Sequence, residues 1–329
     1  MKHNKKYQPK PLFEQRINTL LENKKDQEDY WKIIRTSPQT YIRCNTLKIS
    51  PEELKKRLEQ KSWKIKQPFL KQGYEEIFLV ENKLGPGELG KSKEHILGYF
   101  YVQEISSMMP ILALKPNEDH YFLDLCASPG SKTTQAAAKM NNKGVLIAND
   151  VKLSRIKILA SNLEKCGVSN AILTYKTGER LCKELKQAGY SFDKILVDAP
   201  CSGEGTIRSS PKTLLMWNFK MIRIFSKKQK YLASNALKIL KPSGEMIYST
   251  CTHAPEENEE VVQFLIDNFD IEILDPDLPL KTRPGLDSWE NKKFSPQIKK
   301  CARIYPQDNN TEGFFVCKIK KLSEKTKDN

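Results

Sequence analysis

No apolar run in this chain reaches the length a membrane helix needs, and no apolar core follows the basic opening MKHNKKYQPK. A cytoplasmic protein with no membrane partner is expected. No C-x-x-C pair occurs either. The cysteines stand at 44, 126, 166, 182, 201, 251, 301 and 317, scattered over 329 residues, which fits neither a disulfide framework nor a zinc site. No metal is expected, and reduced thiols are left free for chemistry. Low-complexity tracts are missing too, so composition does not make the body of the chain disordered.

What the chain has is positive charge. Lysine and arginine outnumber the acids 55 to 40, and the net +15 suits a polyanion, because each neutralised phosphate releases counterions. Four segments follow from the patterning: a helical lead-in over 1–35, a small α/β unit and connector over 36–110, the main domain over 111–322, and a basic polar tail over 323–329. In the second segment YIRCNTLKI, WKIKQPF and EEIFLVE read as strands. SPEELKKRLEQKS reads as a helix with Ser50 as N-cap and Pro51 in its first turn. HILGYFYVQEISSMMPILAL reads as an amphipathic connector.

From Tyr121 the pattern alternates. YFLDLC, GVLIAND, AILTYK, DKILVDAP and EMIYSTC are strands without strict polar alternation, interleaved with helices, which indicates a parallel sheet covered on both faces. The fold class is doubly wound α/β. IEILDP and EGFFVCKIKK add two strands, with about 35 irregular residues between them, a loop length that is usually functional.

Ligands of such a sheet sit beyond the carboxyl ends of its strands. The first of these ends reads DLCASPGSKTTQ. A dinucleotide would call for G-x-G-x-x-G and a nucleoside triphosphate for G-x-x-x-x-G-K-[ST]; here Gly130 stands alone after Pro129. S-adenosylmethionine (AdoMet) needs a tight turn and an acid at the next strand end, and Asp150 fits that acid.

The fourth strand ends in Asp198-Ala199-Pro200-Cys201. Methyltransferases acting on exocyclic amines place an aromatic where this chain has a thiol, so a different atom is being methylated. Carbon 5 of cytosine needs activation by a thiolate adding at C6 beside an acid that protonates N3. Cys251 ends the fifth strand. A lone free cysteine is most often a small buried apolar residue. Two thiols at neighbouring strand ends, one beside Asp-x-Pro, point instead to a shared cleft, with Lys132 as the nearest candidate cation. The helix after Cys251 is expected to begin at APEENEEVV.

From about Tyr41 to Lys321 the chain resembles the NOL1/NOP2/Sun (RsmB-type) family of RNA cytosine-5 methyltransferases, in an archaeal-like short form. The motifs are YIRCNTLK, GYFYVQEISSMMP, DLCASPGSKTTQ, LVDAPCSGEGTIR, YSTCTHAPEENEEVV and RIYPQDNNTEGFFVCK. The resemblance implies a Rossmann-like AdoMet-dependent sheet and a small RRM-like N-terminal domain. Cys251 would be the nucleophile and Cys201 would assist product release; Asp198 would bond the cytosine and Lys132 would orient the reactants. AdoMet would be held by Cys126, Ala127, Ser128, Pro129, Gly130, Ser131, Lys132, Asp150 and Arg155, with Asp198 bordering its site and Glu179 standing on the adenine side. Pro306-Gln307 replaces the family's usual Pro-His. Arg43, Asn45, Arg208 and Lys212 would contact RNA, and Trp217, Phe219, Phe314 and Phe315 are candidates for stacking on bases. Transfer RNA is favoured over ribosomal RNA, and a monomer without a further RNA-binding domain such as PUA is expected. The rival from another class is a non-catalytic RNA-binding assembly factor. DNA cytosine-5 methyltransferases use a Glu-Asn-Val partner that is missing here.

Overall fold

The computed structural model describes residues 7–69, 72–82, 84–85 and 87–326. The chain forms two compact units, one of Gln39–Leu196 and one of Met1–Pro38 with Val197–Asn329. The second unit opens with α1 (Pro11–Leu20) and α2 (Lys24–Ile33).

The Gln39–Leu196 unit begins with β1 (Thr40–Cys44), α3 (Pro51–Glu59), β2 (Ile65–Lys66), β3 (Ile77–Val80), the short helices α4 (Glu88–Lys91) and α5 (Lys93–Ile96), and β4 (Phe100–Val102). Ser50 caps α3 as its sequence predicts, its hydroxyl accepting from Glu53 N at 3.2 Å. The strands pair antiparallel in the order β2-β3-β1-β4, the βαββαβ arrangement of a split βαβ unit. Ile42, Leu54, Leu58, Phe78 and Phe100 fill its core. Burying each such side chain contributes about 1.5–3 kcal/mol.

The expected amphipathic connector is instead the strand β4 followed by α6 (Ile105–Leu114), whose residues are buried almost all round. A helix apolar on every side belongs in an interior. The Glu104 carboxylate caps it, accepting from Ser106 N at 2.7 Å and Ser107 N at 3.2 Å.

Then follow β5 (Tyr121–Asp124), α7 (Ser131–Lys139), β6 (Val145–Asp150), α8 (Leu153–Cys166), β7 (Ala171–Tyr175), α9 (Gly178–Gln187) and β8 (Phe192–Asp198). The strands run parallel in the order β7-β6-β5-β8, with Leu123 opposite both Ile147 and Ile195. Gly167 ends α8 at φ 73°, the left-handed position that glycine adopts at least cost.

In the other unit, the end of β8 leads through α10 (Lys212–Met216) and α11 (Phe219–Leu237) to β9 (Leu240–Thr250), α12 (Glu259–Asn268) and β10 (Phe269–Leu274). The stretch read as irregular holds short pieces: β11 (Arg283–Pro284), a β12 (Ser288–Trp289) and β13 (Lys292–Lys293) pair, β14 (Ala302–Ile304) and α13 (Pro306–Asn309). Arg283 anchors it, bonding Asp26 at 2.6 Å and Asp308 at 2.7 Å. The last strand, β15 (Phe314–Thr326), pairs antiparallel with β9, β10 and β14, so the sheet is mixed rather than wholly parallel. Residues 323–326, read as tail, continue β15; 327–329 lie outside the described residues. Phe13, Ile17, Tyr30, Trp217, Ile222 and Tyr305 form a core that joins α1 and α2 to this unit's later elements.

Candidate active site

Two strand ends build the thiol site. Ala199 N donates to Ser249 O at 2.9 Å, and the Ser249 hydroxyl donates to Asp198 Oδ1 at 2.7 Å, so the ends of β8 and β9 are locked side by side. Two residues beyond each of those positions, Cys201 Sγ and Cys251 Sγ lie 3.2 Å apart, and both residues are half-buried. One step further, the Ser202 and Thr252 hydroxyls meet at 2.8 Å.

The hydrogen bond to Cys251, then burial, push the Cys201 thiol well above its ordinary range. Either sulfur can donate in this S–H···S contact. Two thiols this close let one sulfur attack while the other serves proton transfer.

Beneath the thiols is a layer of buried acids. Glu257 Oε2 accepts from Ser202 N at 3.1 Å and from Gln229 Nε2 at 2.8 Å, while Gln229 also holds Pro200 O at 2.9 Å. Burial pushes the Glu257 carboxyl up to about 8, against the pull of those hydrogen bonds, and its Oε1 has no partner. Glu204 is also buried and raised, although Trp217 Nε1 at 2.7 Å and Thr252 Oγ1 at 3.1 Å bond it. Burial and the charges of Arg303 and Arg283 drive His253 down to about 3, so it is neutral, stacked 5.0 Å from Tyr305. The acids of PEENEE were read as the first turn of a helix. Pro255–Asn258 are turns and α12 starts at Glu259, because the Asn258 side chain is engaged with Thr250 Oγ1 at 2.6 Å and Thr252 O at 3.0 Å. Glu257 and Glu204 had no signature in the sequence beyond their acidity.

Gly205 shows how tightly the site is closed. Its N–H donates to Cys251 O and its carbonyl accepts from Gly313 N, both at 2.9 Å. A Cβ there would stand 2.2 Å from Gly313 O. Only glycine fits.

In the Gln39–Leu196 unit, the loop after β5 turns at Gly130, φ 107°, whose missing Cβ leaves room for Leu159 Cδ1. Ala127 N donates to Asn149 O at 2.8 Å. Asp150, buried at the end of β6, accepts from Lys152 N at 3.0 Å and faces Arg155 at 3.3 Å; Arg155 in turn donates to Ser128 O, and Ser128 Oγ donates to Arg155 O at 3.0 Å. Cys126–Ser131, Asp150 and Arg155 thus form one cluster with a glycine turn and a single buried carboxylate, which is a fit for AdoMet. Lys132 is buried in the first turn of α7 and donates to Ser107 Oγ at 2.9 Å. Glu179 lies exposed in the first turn of α9. Among the described residues, no group of three or more His, Cys, Asp or Glu is arranged to hold a metal.

Three of the four residues expected to contact RNA are interior. Arg43 is buried, bonding Gln103, Ser131 O at 2.7 Å and Thr134 Oγ1 at 2.8 Å, so it ties β1 to the first turn of α7. Asn45 Nδ2 spans Gly98 O and Cys166 O at 2.8 and 2.7 Å. Arg208 is spent on Thr311 O at 2.7 Å, Ser37 O at 2.9 Å and Asn310 Oδ1 at 2.7 Å. Lys212 alone is exposed. Trp217, Phe314 and Phe315 are core residues, which removes them as stacking platforms.

Residues 111–320 match the profile of the 16S rRNA methyltransferase RsmB/F, and 10–105 match the N-terminal domain of the 16S rRNA methyltransferase RsmF. The chain belongs to the RsmB/F methyltransferase family. The tRNA (cytosine(49)-C(5))-methyltransferase of Pyrococcus abyssi is 40% identical over 90% of this chain and 92% of its own length. The ribosomal RNA small subunit methyltransferase F of Aliivibrio salmonicida is 42% identical over 86% of this chain, which spans 58% of that relative. Among solved structures, a methyltransferase homolog from Pyrococcus horikoshii superposes with a TM-score of 0.78 at 33% identity, covering 95% of this chain and 100% of its own. NSun6 of the same organism, solved with the AdoMet analogue SFG, superposes at 0.80 with 26% identity, covering 94% and 97%. Membership in the RsmB/F family makes the chain an AdoMet-dependent RNA cytosine-5 methyltransferase with a Rossmann-like sheet and an N-terminal domain. The non-catalytic reading is thereby set aside.

Proposed function

We propose that this enzyme methylates C5 of cytosine in transfer RNA through a transient bond between Cys251 and C6. The observation that carries the reading is the pair of thiols 3.2 Å apart, at the ends of two strands locked together beside Asp198. The Cys251 thiolate adds to C6 while Asp198 assists proton delivery to N3, and C5 becomes electron-rich. AdoMet, held by the Gly130 turn, Asp150 and Arg155, supplies an electrophilic methyl group. The C5 proton then leaves to a base acting with Cys201 while the bond from C6 to Cys251 breaks, and Cys251 departs as a thiolate. Lys132 and Glu179 are assigned to the cofactor side, and the βαββαβ segment within 36–110 to an RRM-like role in holding RNA.

Transfer RNA is supported by the identity that runs along 92% of the P. abyssi enzyme, named for tRNA cytosine 49. The 42% identity to the small-subunit rRNA enzyme favours a second reading, ribosomal RNA. With tritiated AdoMet and total RNA, Cys251→Ala should abolish transfer, and Cys201→Ala should accumulate a protein–RNA adduct that survives denaturation. An adduct in the Cys251 variant instead would reverse the two roles. Bisulfite sequencing of tRNA and rRNA, with and without the gene, separates the substrates.

A further inference from the structure

The positive charge of this chain is not evenly spread. Between Glu204 and Glu245 there is no acid, and nine lysines and arginines fall in that interval, which begins just past the Cys201 loop. Nine of the chain's net +15 charges therefore fall in the 40 residues between those two acids. Helices α10 and α11 turn Lys212, Lys220, Arg223, Lys227 and Lys228 to solvent, and among the described residues none of the five forms an ion pair with a carboxylate. Like charges spaced three and four apart, as in Lys220, Arg223 and Lys227, repel one another and weaken the helix. Arg223 is partly accommodated by the Phe219 ring, 4.9 Å from its guanidinium, and phosphates would relieve the remaining repulsion.

Apolar groups are interleaved with these cations. Met216 is 77% exposed, and Leu215, Met221 and Ile224 are also exposed. At the start of the same segment a cavity of about 370 Å³ is lined by Tyr7, Trp31, Arg35, Ile207, Pro211 and Leu214. Trp31 is fixed there by its indole N–H, which donates to Asn18 Oδ1 at 2.8 Å. Ile207 lies two residues from Gly205, at most about 8 Å between their Cα atoms, and Gly205 N–H donates to the Cys251 carbonyl at 2.9 Å. The cavity wall thus belongs to the loop that holds the Cys251 backbone.

We propose that a single strand of RNA adjoining the target cytosine is bound here, its phosphates on the α10–α11 cations and one unstacked base in the Trp31 cavity. An anionic membrane would also suit a basic helix, but an aromatic cavity on the loop that holds the Cys251 backbone favours a nucleic-acid strand, which offers both phosphates and planar bases. The inference rests on RNA being the substrate.

The test uses the full chain, a short fluorescein-labelled single-stranded RNA and anionic phosphatidylserine vesicles. Against wild type stands the variant Lys220→Gln/Arg223→Gln/Lys227→Gln/Lys228→Gln, whose substitutions are at exposed positions. If each cation meets a phosphate, the slope of log affinity against log salt should flatten by about 2.8. KM for RNA should rise at least about tenfold, with the loss falling on KM rather than kcat and AdoMet affinity retained. A photoreactive 4-thiouridine beside the target cytosine should crosslink to Tyr7 or Trp31. An unchanged slope and KM, or crosslinks confined to other surfaces, overturns the proposal. Vesicle binding lost in the variant while RNA binding persists overturns it too, in favour of a membrane. Failure of the wild type to methylate any RNA would sink the functional reading itself, which is a distinguishable outcome.

Discussion

Replacing Glu257 by glutamine should remove part of the pH dependence of this enzyme's stability. Burial lifts the carboxyl from an ordinary 4.5 to about 8. Between those two values the folded chain keeps a proton that the unfolded chain has released, so the folded state loses ground as pH rises, by about 1.4 kcal/mol per unit. The contribution is fully present below about pH 4.5 and gone above about pH 8. Over that span of about 3.5 units the loss reaches about 5 kcal/mol at most. Glutamine keeps the shape and an acceptor oxygen for Ser202 N and Gln229 while never ionising. Wild type and Glu257→Gln should therefore have similar stability near pH 4.5, and the variant should gain steadily up to about pH 8. Urea denaturation of both proteins at steps across this range reads the difference directly, and infrared spectroscopy should show a protonated carboxyl band at neutral pH that the variant lacks. Two pH curves that run parallel, with no such band, would refute the reasoning.

Gly205→Ala should lower kcat/KM about 100-fold, since a Cβ placed 2.2 Å from Gly313 O must push the backbone that holds Cys251 O; methyl transfer within twofold of wild type would contradict this. Arg303 forms two 2.6 Å bonds with Glu259, both groups almost fully buried. Arg303→Met should cost about 3–5 kcal/mol by stranding the Glu259 charge, and adding Glu259→Leu should restore much of that loss in denaturation measurements. Recovery of none of it would show that the pair acts through packing alone.

Much of the fold and the thiol site was legible because both depend on local pattern. Ser50 before Pro51 announced α3, Gly167 announced the end of α8, and Asp198–Cys201 and Cys251 stood where apolar strands stop. Strand direction leaves no such mark, so the antiparallel half built on β15 was missed. The fate of long polar side chains was also hidden. Arg43, Asn45 and Arg208 are chemically suited to RNA, but their hydrogen-bond partners lie 50 or more residues away along the chain, at Ser131, Cys166 and Thr311. Glu257 was misread for the same reason: an acid near a helix start looks like a dipole partner until Ser202 N and Gln229 are brought against it.

The pairing of the chain's first residues with its last third sets an order of events during synthesis. Arg16 cannot meet Glu256, nor Asp26 meet Arg283, until those late residues have left the ribosome. At about 5–20 residues per second the opening helices wait roughly 12–50 s with their apolar faces unmatched, while the Gln39–Leu196 unit already has all its own strands. For that interval the newborn amino terminus is the part of this enzyme most in need of a chaperone's cover.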